Sequence, residues 1–264
     1  MAEPRRAWER RNMEEILWGP TFGLTHILSL IAAAGLIVGL YFMLRKTSVS
    51  LRIAVLGVLS FSGLAAIIFN LVTCTQWGQS PWEYLPLHLC SINAILLPIA
   101  VFTRGKTVSN MLLLWSLGAL CALIVNRPDY ALFSDVFNFY YFPHVLEFGI
   151  PILLFKLNLV EKDIKCIGST IGLTLCIYAF VHLCNLVINS LGLFNPAGEK
   201  ILVIYMYSMV PEFSVLGIFW KILPHEFWYM LVIFPIIALY LLALYAPQIL
   251  VASRKKNKLA KAAG

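Results

Sequence analysis

The chain has 264 residues, 60% of them hydrophobic and 12% charged, and a formal net charge of +7. A soluble domain carries about 25% charged residues, so this chain has too little polar surface to dress a soluble globule. That excludes a soluble enzyme, a disordered protein and a soluble nucleic-acid binder. The long unbroken apolar runs define an all-α class, a polytopic membrane helix bundle.

Along the chain, residues 1–21 read as an N-terminal tail, 22–247 as a single transmembrane helical domain and 248–264 as a basic C-terminal tail. Seven segments are long enough to cross: 22–44, 53–72, 84–103, 107–126, 139–159, 166–189 and 226–247. A twenty-residue helix is about 30 Å long, which matches the hydrocarbon thickness. The first segment is uncharged, too long for a signal-peptide core and followed by Arg45-Lys46, so it is expected to stay in the mature protein. Pro98, Pro151 and Pro235 fall inside spans and predict kinks. The spacings Gly35/Gly39 and Gly168/Gly172 would allow close helix approach, although they arise readily by chance in an apolar chain. The stretch 201–220 is apolar but interrupted by Pro211-Glu212. A Pro-Glu pair at mid-bilayer is costly, so the stretch is expected not to span; if it does, the spans number eight.

Lys and Arg set the orientation. The loops 45–52, 104–106 and 156–165 with the C-terminal tail hold 13 of them, and the other side holds 7. The expectation is a multi-pass cell-membrane protein with its C-terminus in the cytoplasm, anchored by Arg254-Lys255-Lys256-Asn257-Lys258.

Four of the five histidines, His26, His88, His144 and His182, fall near one membrane face whichever way the chain points, and His225 joins them if 201–220 does not cross. Each of the four has a polar partner three residues on: Ser29, Ser91, Glu147 and Asn185. That spacing keeps both side chains on one helix face. The stripes lengthen to Tyr84/His88/Ser91, Tyr140/His144/Glu147 and Tyr178/His182/Asn185/Asn189. Ionisable groups inside a bilayer face the bundle interior or a watery cavity, so these residues are functional candidates. The alternative is that each His satisfies a polar group on a neighbouring helix.

Six cysteines occur without a Cys-x-x-Cys pair, so neither a structural zinc site nor a thioredoxin-like motif is indicated. A disulfide using Cys74 requires an oxidising histidine side. Cys90 stands out by its company, Leu85-Pro86-Leu87-His88-Leu89-Cys90-Ser91. A nucleophilic Cys needs a nearby base. In a regular helix His88 and Cys90 stand about 200° apart, so the base is expected from another span, His144 or His182.

The motif Pro86-Leu87-His88-Leu89-Cys90 resembles the His-x-Cys signature of the bacterial YwaF-like integral membrane proteins. Phe22-Gly23-Leu24-Thr25-His26, Leu117-Gly118-Ala119-Leu120, Tyr140-Tyr141-Phe142-Pro143-His144-Val145 and Val181-His182 resemble that family's other signatures, in order, over roughly 22–247. The YwaF-like proteins are similar to the eukaryotic transmembrane protein 164, a cysteine-dependent acyltransferase acting on ether phospholipids. The resemblance implies a lipid-facing thiol acyl-transfer site containing His88 and His144. The eukaryotic relative has its cysteine directly before the first histidine, where this chain has Leu87.

The leading expectation is therefore a thiol-dependent lipid acyltransferase or hydrolase with its pocket among spans 1, 3, 5 and 6. Cys90 would be the nucleophile, and His144, then His88, the general base. Glu147 would orient His144, as the third member of a triad does. Asn93 or Asn185 would donate to an oxyanion, and His26 and His182 would bind substrate. No cofactor is indicated, and the expected partners are membrane phospholipids, not nucleic acid. Two other readings stay open: a non-enzymatic transporter or channel using buried His and Glu, and a His-rich metal site.

Overall fold

A computed structural model describes residues 24–125, 137–211 and 214–246, and the described residues contain helices and turns without a named strand. The tails, the loop 126–136, the start of the first span and Glu212 of the Pro-Glu pair lie outside them.

The chain runs through α1 (Leu24–Leu44), α2 (Val49–Ser60), α3 (Ser62–Thr73), α4 (Leu89–Thr103), α5 (Lys106–Val125), α6 (Phe142–Lys156), α7 (Cys166–Ser190), α8 (Ser214–Ile222) and α9 (234–246). Five helical runs are long and apolar enough to cross a membrane: His26–Leu44, Val49–Trp77, Lys106–Ile124, Cys166–Ser190 and Trp228–Ala246. The second holds α2 and α3, which break at Phe61. The last begins as the 3-10 turn Trp228–Ile233 and turns α-helical at Pro235, whose fixed φ suits a first helical turn.

The two central helices differ from expectation. Helices α4 and α6 are 15 residues each, about 22 Å, shorter than the 84–103 and 139–159 segments read from hydropathy. The reason is proline. Pro81 and Pro86 hold 81–88 in turns, so α4 begins only at Leu89 with His88 as its N-cap. Pro143 lies in the first turn of α6, preceded by the π-helical turn Phe137–Tyr141. Irregular backbone is tolerated at membrane depth where it lines a cavity, and here both short helices begin at the same cavity.

Helices α5 and α6 pack most extensively on each other, with α4 against both. Their core is Leu97, Val101, Leu112, Leu113, Ile150, Leu153 and Leu154, all nearly inaccessible. Outward, α1 exposes Ile31, Val38 and Met43, and α7 exposes Phe180, Leu183 and Val187, surfaces suited to lipid tails rather than water. Gly35, Gly39, Gly168 and Gly172 sit on such faces with nothing within 4 Å of an added Cβ, so neither spacing is a packing motif.

Among its described residues, the stretch 201–220 holds no helix long enough to cross. Residues 201–208 run as extended chain and a 3-10 turn, Met206 and Tyr207 have positive φ, and α8 is nine residues long. Helix α7 holds this stretch. Asn189 exchanges hydrogen bonds with Val203 N–H and C=O at 2.8 and 2.9 Å. Asn185 accepts from Tyr205 N–H at 3.1 Å and donates to its carbonyl at 2.8 Å. Tyr178 donates to the Phe227 carbonyl at 3.0 Å. A polar stripe on one helix thus supplies the bonds that an unpaired buried backbone requires.

At the opposite end, Arg52 ties three segments. Its Nε donates to Leu44 O at 3.0 Å, Nη1 to Leu157 O at 2.9 Å and Nη2 to Arg45 O at 2.9 Å. Leu44 and Leu157 close α1 and α6, so one guanidinium serves carbonyls at two helix C-termini, sharing that of Leu44 with Thr47.

Candidate active site

A cavity of about 340 Å³ opens where α4 and α6 begin. Helix α3 supplies Gly63, Ala66, Ile67 and Asn70, and the 79–88 turns supply Gln79, Glu83, Tyr84, Leu85 and His88. Helix α4 supplies Cys90, Ser91 and Ala94, and the α6 side supplies Phe139, Tyr140, Pro143, His144 and Glu147. The walls therefore come from spans 2, 3 and 5, not from spans 1, 3, 5 and 6 as the histidine pattern suggested.

All four expected catalytic residues, Cys90, His144, His88 and Glu147, line this cavity. The helical-wheel objection to His88 and Cys90 sharing a site falls away, because His88 is an extended N-cap outside the helix (φ −72°, ψ 154°). Cys90 is half-buried in the first turn of α4, at the end of the helix that opens into the cavity.

His144 is 6% exposed. Its Nδ1 lies 2.7 Å from the Tyr140 carbonyl. A carbonyl only accepts, so Nδ1 carries the proton and Nε2 keeps the lone pair that a general base needs. The Tyr140 ring stacks on the imidazole at 4.4 Å between centroids. The bond that orients His144 thus comes from Tyr140, not from Glu147. Glu147, one turn along α6 from His144, is 3% exposed and lines the cavity beside His144 and Cys90. Gly63 makes room: a Cβ there would stand 2.5 Å from Ala94 Cβ and 3.4 Å from Glu147 Oε1.

His88 makes an edge contact with Tyr205, 5.0 Å between centroids, and lies 5.7 Å from the Tyr207 ring. The buried Tyr205 hydroxyl donates to the Trp82 carbonyl and accepts from Leu85 N–H. Burial pushes the Tyr205 phenol above its ordinary pKa, which keeps its proton for that bond. The 201–208 stretch therefore steadies the cavity rim.

The expected substrate-binding residues divide. Asn93 is 1% exposed and is not among the cavity's lining residues. His26 is buried against the Leu123 carbonyl at 2.9 Å. His182 Nδ1 meets Ser208 Oγ at 3.0 Å, and its ring packs on Phe227. Asn185 spends its amide on Tyr205 and Ser208, so the oxyanion expected of it has no donor there. His26, His182 and Asn185 are not among the cavity's lining residues, and His225 is exposed. One cavity for four histidines is therefore corrected to one cavity for two. All six cysteines are free, Cys74 being buried with its thiol on Leu71 O at 3.3 Å. Among the described residues no group of three or more His, Cys, Asp or Glu side chains is placed to hold a metal ion.

Sequence reasoning missed the α3 wall and the orienting role of Tyr140. The first left a signal: Gly63, Ala66, Ile67 and Asn70 recur at i, i+3, i+4 and i+7, small and polar residues on one face of an otherwise apolar helix. The second left none, because the orienting group is a backbone carbonyl.

These features define a polytopic helical membrane protein with a cavity that holds a thiol, two imidazoles and a carboxyl at the start of two central helices. The chain belongs to the TMEM164 family, whose family model matches residues 21–246. No curated protein and no solved structure matches it.

Proposed function

We propose that this chain is a thiol-dependent lipid acyltransferase or hydrolase of the cell membrane, with its C-terminus cytoplasmic and its cavity toward the extracytoplasmic leaflet. The observation that carries the reading is one cavity holding a thiol at a helix N-terminus and an imidazole fixed as the Nδ1–H tautomer. His144 Nε2 takes the Cys90 proton, the thiolate attacks the carbonyl of a phospholipid acyl ester, and the ester C–O bond breaks as His144 returns the proton to the leaving lysolipid oxygen. The first-turn N–H groups of α4 are the nearest donors for the oxyanion, in place of Asn185. The family's resemblance to a cysteine-dependent acyltransferase supports the same chemistry. Cys90 here takes the part that the relative gives to a cysteine beside the histidine.

The test follows a labelled acyl chain from phosphatidylcholine liposomes onto the purified protein and into product. Cys90→Ser abolishes the label on protein, and His144→Gln lowers transfer by about 10²–10⁴-fold, while Cys176→Ser, on the exposed face of α7, changes nothing. Transfer that persists in Cys90→Ser would sink the reading.

A further inference from the structure

Unfilled hydrogen-bonding capacity at Glu147, which lines the cavity, and at Asn93 behind it points to a second chemical role. Glu147 is 3% exposed and Asn93 1%. Glu147 Oε2 and Asn93 Oδ1 have no hydrogen-bond partner among the described residues. Two acceptors left unpaired in an apolar interior are costly unless something donates to them. Among the described residues no Lys or Arg lines the cavity to do so. His144 has its orienting bond from Tyr140, so Glu147 is not needed for that task.

The register places these acceptors beside the reacting groups. Asn93 follows Cys90 by three residues on α4, and Glu147 follows His144 by three on α6, so each pair shares a helix face. Gly63 keeps the opposite wall away from the carboxyl. A ligand hydroxyl that reaches Glu147 Oε2 would lie next to an acyl group carried on Cys90.

Resting on the acyl-transfer reading, we propose that Glu147 receives the hydroxyl of the acyl acceptor and is the base of the second half-reaction. The acceptor oxygen attacks the thioester carbonyl, a C–O bond forms and the C–S bond breaks. The hydroxyl proton passes to the Glu147 carboxylate and from there to the departing Cys90 thiolate, which restores both groups. The acceptor class is an alcohol, with a lipid hydroxyl and water as its two sources.

The full-length protein in detergent micelles, with p-nitrophenyl octanoate as donor and lysophosphatidylcholine as acceptor, separates the two halves. The burst of p-nitrophenolate reports acylation of Cys90, and the later steady rate reports its release. Glu147→Gln is expected to keep the burst, lower the steady rate about 100-fold and accumulate octanoyl-Cys90 by mass spectrometry. Octanoylated lysolipid rather than octanoate identifies the lipid hydroxyl as acceptor, and the reverse identifies water. A variant that slows burst and steady rate alike, or neither, overturns the proposal. If Glu147→Gln does not fold, Glu147→Asp, with the carboxyl withdrawn by one methylene, serves instead: an intact burst with slowed release supports the proposal, and unchanged release overturns it. A wild-type protein that forms no Cys90 thioester overturns the acyl-transfer reading itself and takes this inference with it.

Discussion

Asn185 is a buried amide whose surroundings assign it a structural task. Its side chain satisfies both the N–H and the C=O of Tyr205 and donates to Ser208. Asn185→Ala leaves two buried backbone groups unpaired, at about 1–3 kcal/mol each. Thermal denaturation in micelles should show a loss of about 2–5 kcal/mol, together with faster alkylation of Cys90, since Tyr205 steadies the rim of its cavity. The sequence pattern correctly places Asn185, His182 and Tyr178 on one face of α7. It does not say which neighbour meets that face. A spacing of three residues reports an angle around one helix and nothing about the partner, so a stripe that clasps a loop and a stripe that lines a cavity look alike. The pattern at His144 and Glu147 has the same form and does face the cavity.

Among the elements, hydropathy marks where apolar chain lies but not where a helix can begin. The bundle is legible in the long apolar runs, and the interrupted 201–220 stretch in its Pro-Glu pair. The late start of α4 was written in Pro81 and Pro86, yet a hydropathy window averages over them. The cavity opens where the 79–88 turns give way to α4 and the π-helical turn Phe137–Tyr141 gives way to α6. Its fit depends on the close approach of α3 and α4 at Gly63, where a methyl group would stand 2.5 Å from Ala94 Cβ. Gly63→Ala must push the helices apart, at a cost of about 1–3 kcal/mol for overpacking. The expected result is a lower melting temperature with a larger loss of acyl transfer than of stability. A variant with normal stability and normal transfer would remove the contact from the site.

For the whole molecule, the contacts divide the bundle into two ends. The 79–88 turns meet Tyr205 at one end. Arg52, the Lys106–Glu161 ion pair at 3.3 Å and Lys162, which donates to Leu244 O at 3.2 Å, gather at the other. Cys74 is fully buried, so it is a poor reporter of topology; the exposed neighbour Gln76 is a better one. In intact cells an impermeant maleimide should modify Gln76→Cys and spare Lys46→Cys, and the opposite result would invert the protein. Arg52→Lys keeps the charge but exchanges three separated nitrogens for one, whose N–H groups do not match carbonyls arranged around a planar fork. It should cost about 1–3 kcal/mol in micelles.

The Arg52 clasp also bears on how the protein is made. Two of its three carbonyls, on Leu44 and Arg45, leave the ribosome before Arg52 does, but the third, on Leu157, follows 105 residues later. At about 5–20 residues per second of synthesis, roughly 5–20 s pass before the guanidinium finds its last partner. During that interval the first two spans stand in the membrane with an incompletely satisfied cation at their base. A nascent chain halted before Leu157 should therefore be more open to proteolysis at 45–52 than one halted after it.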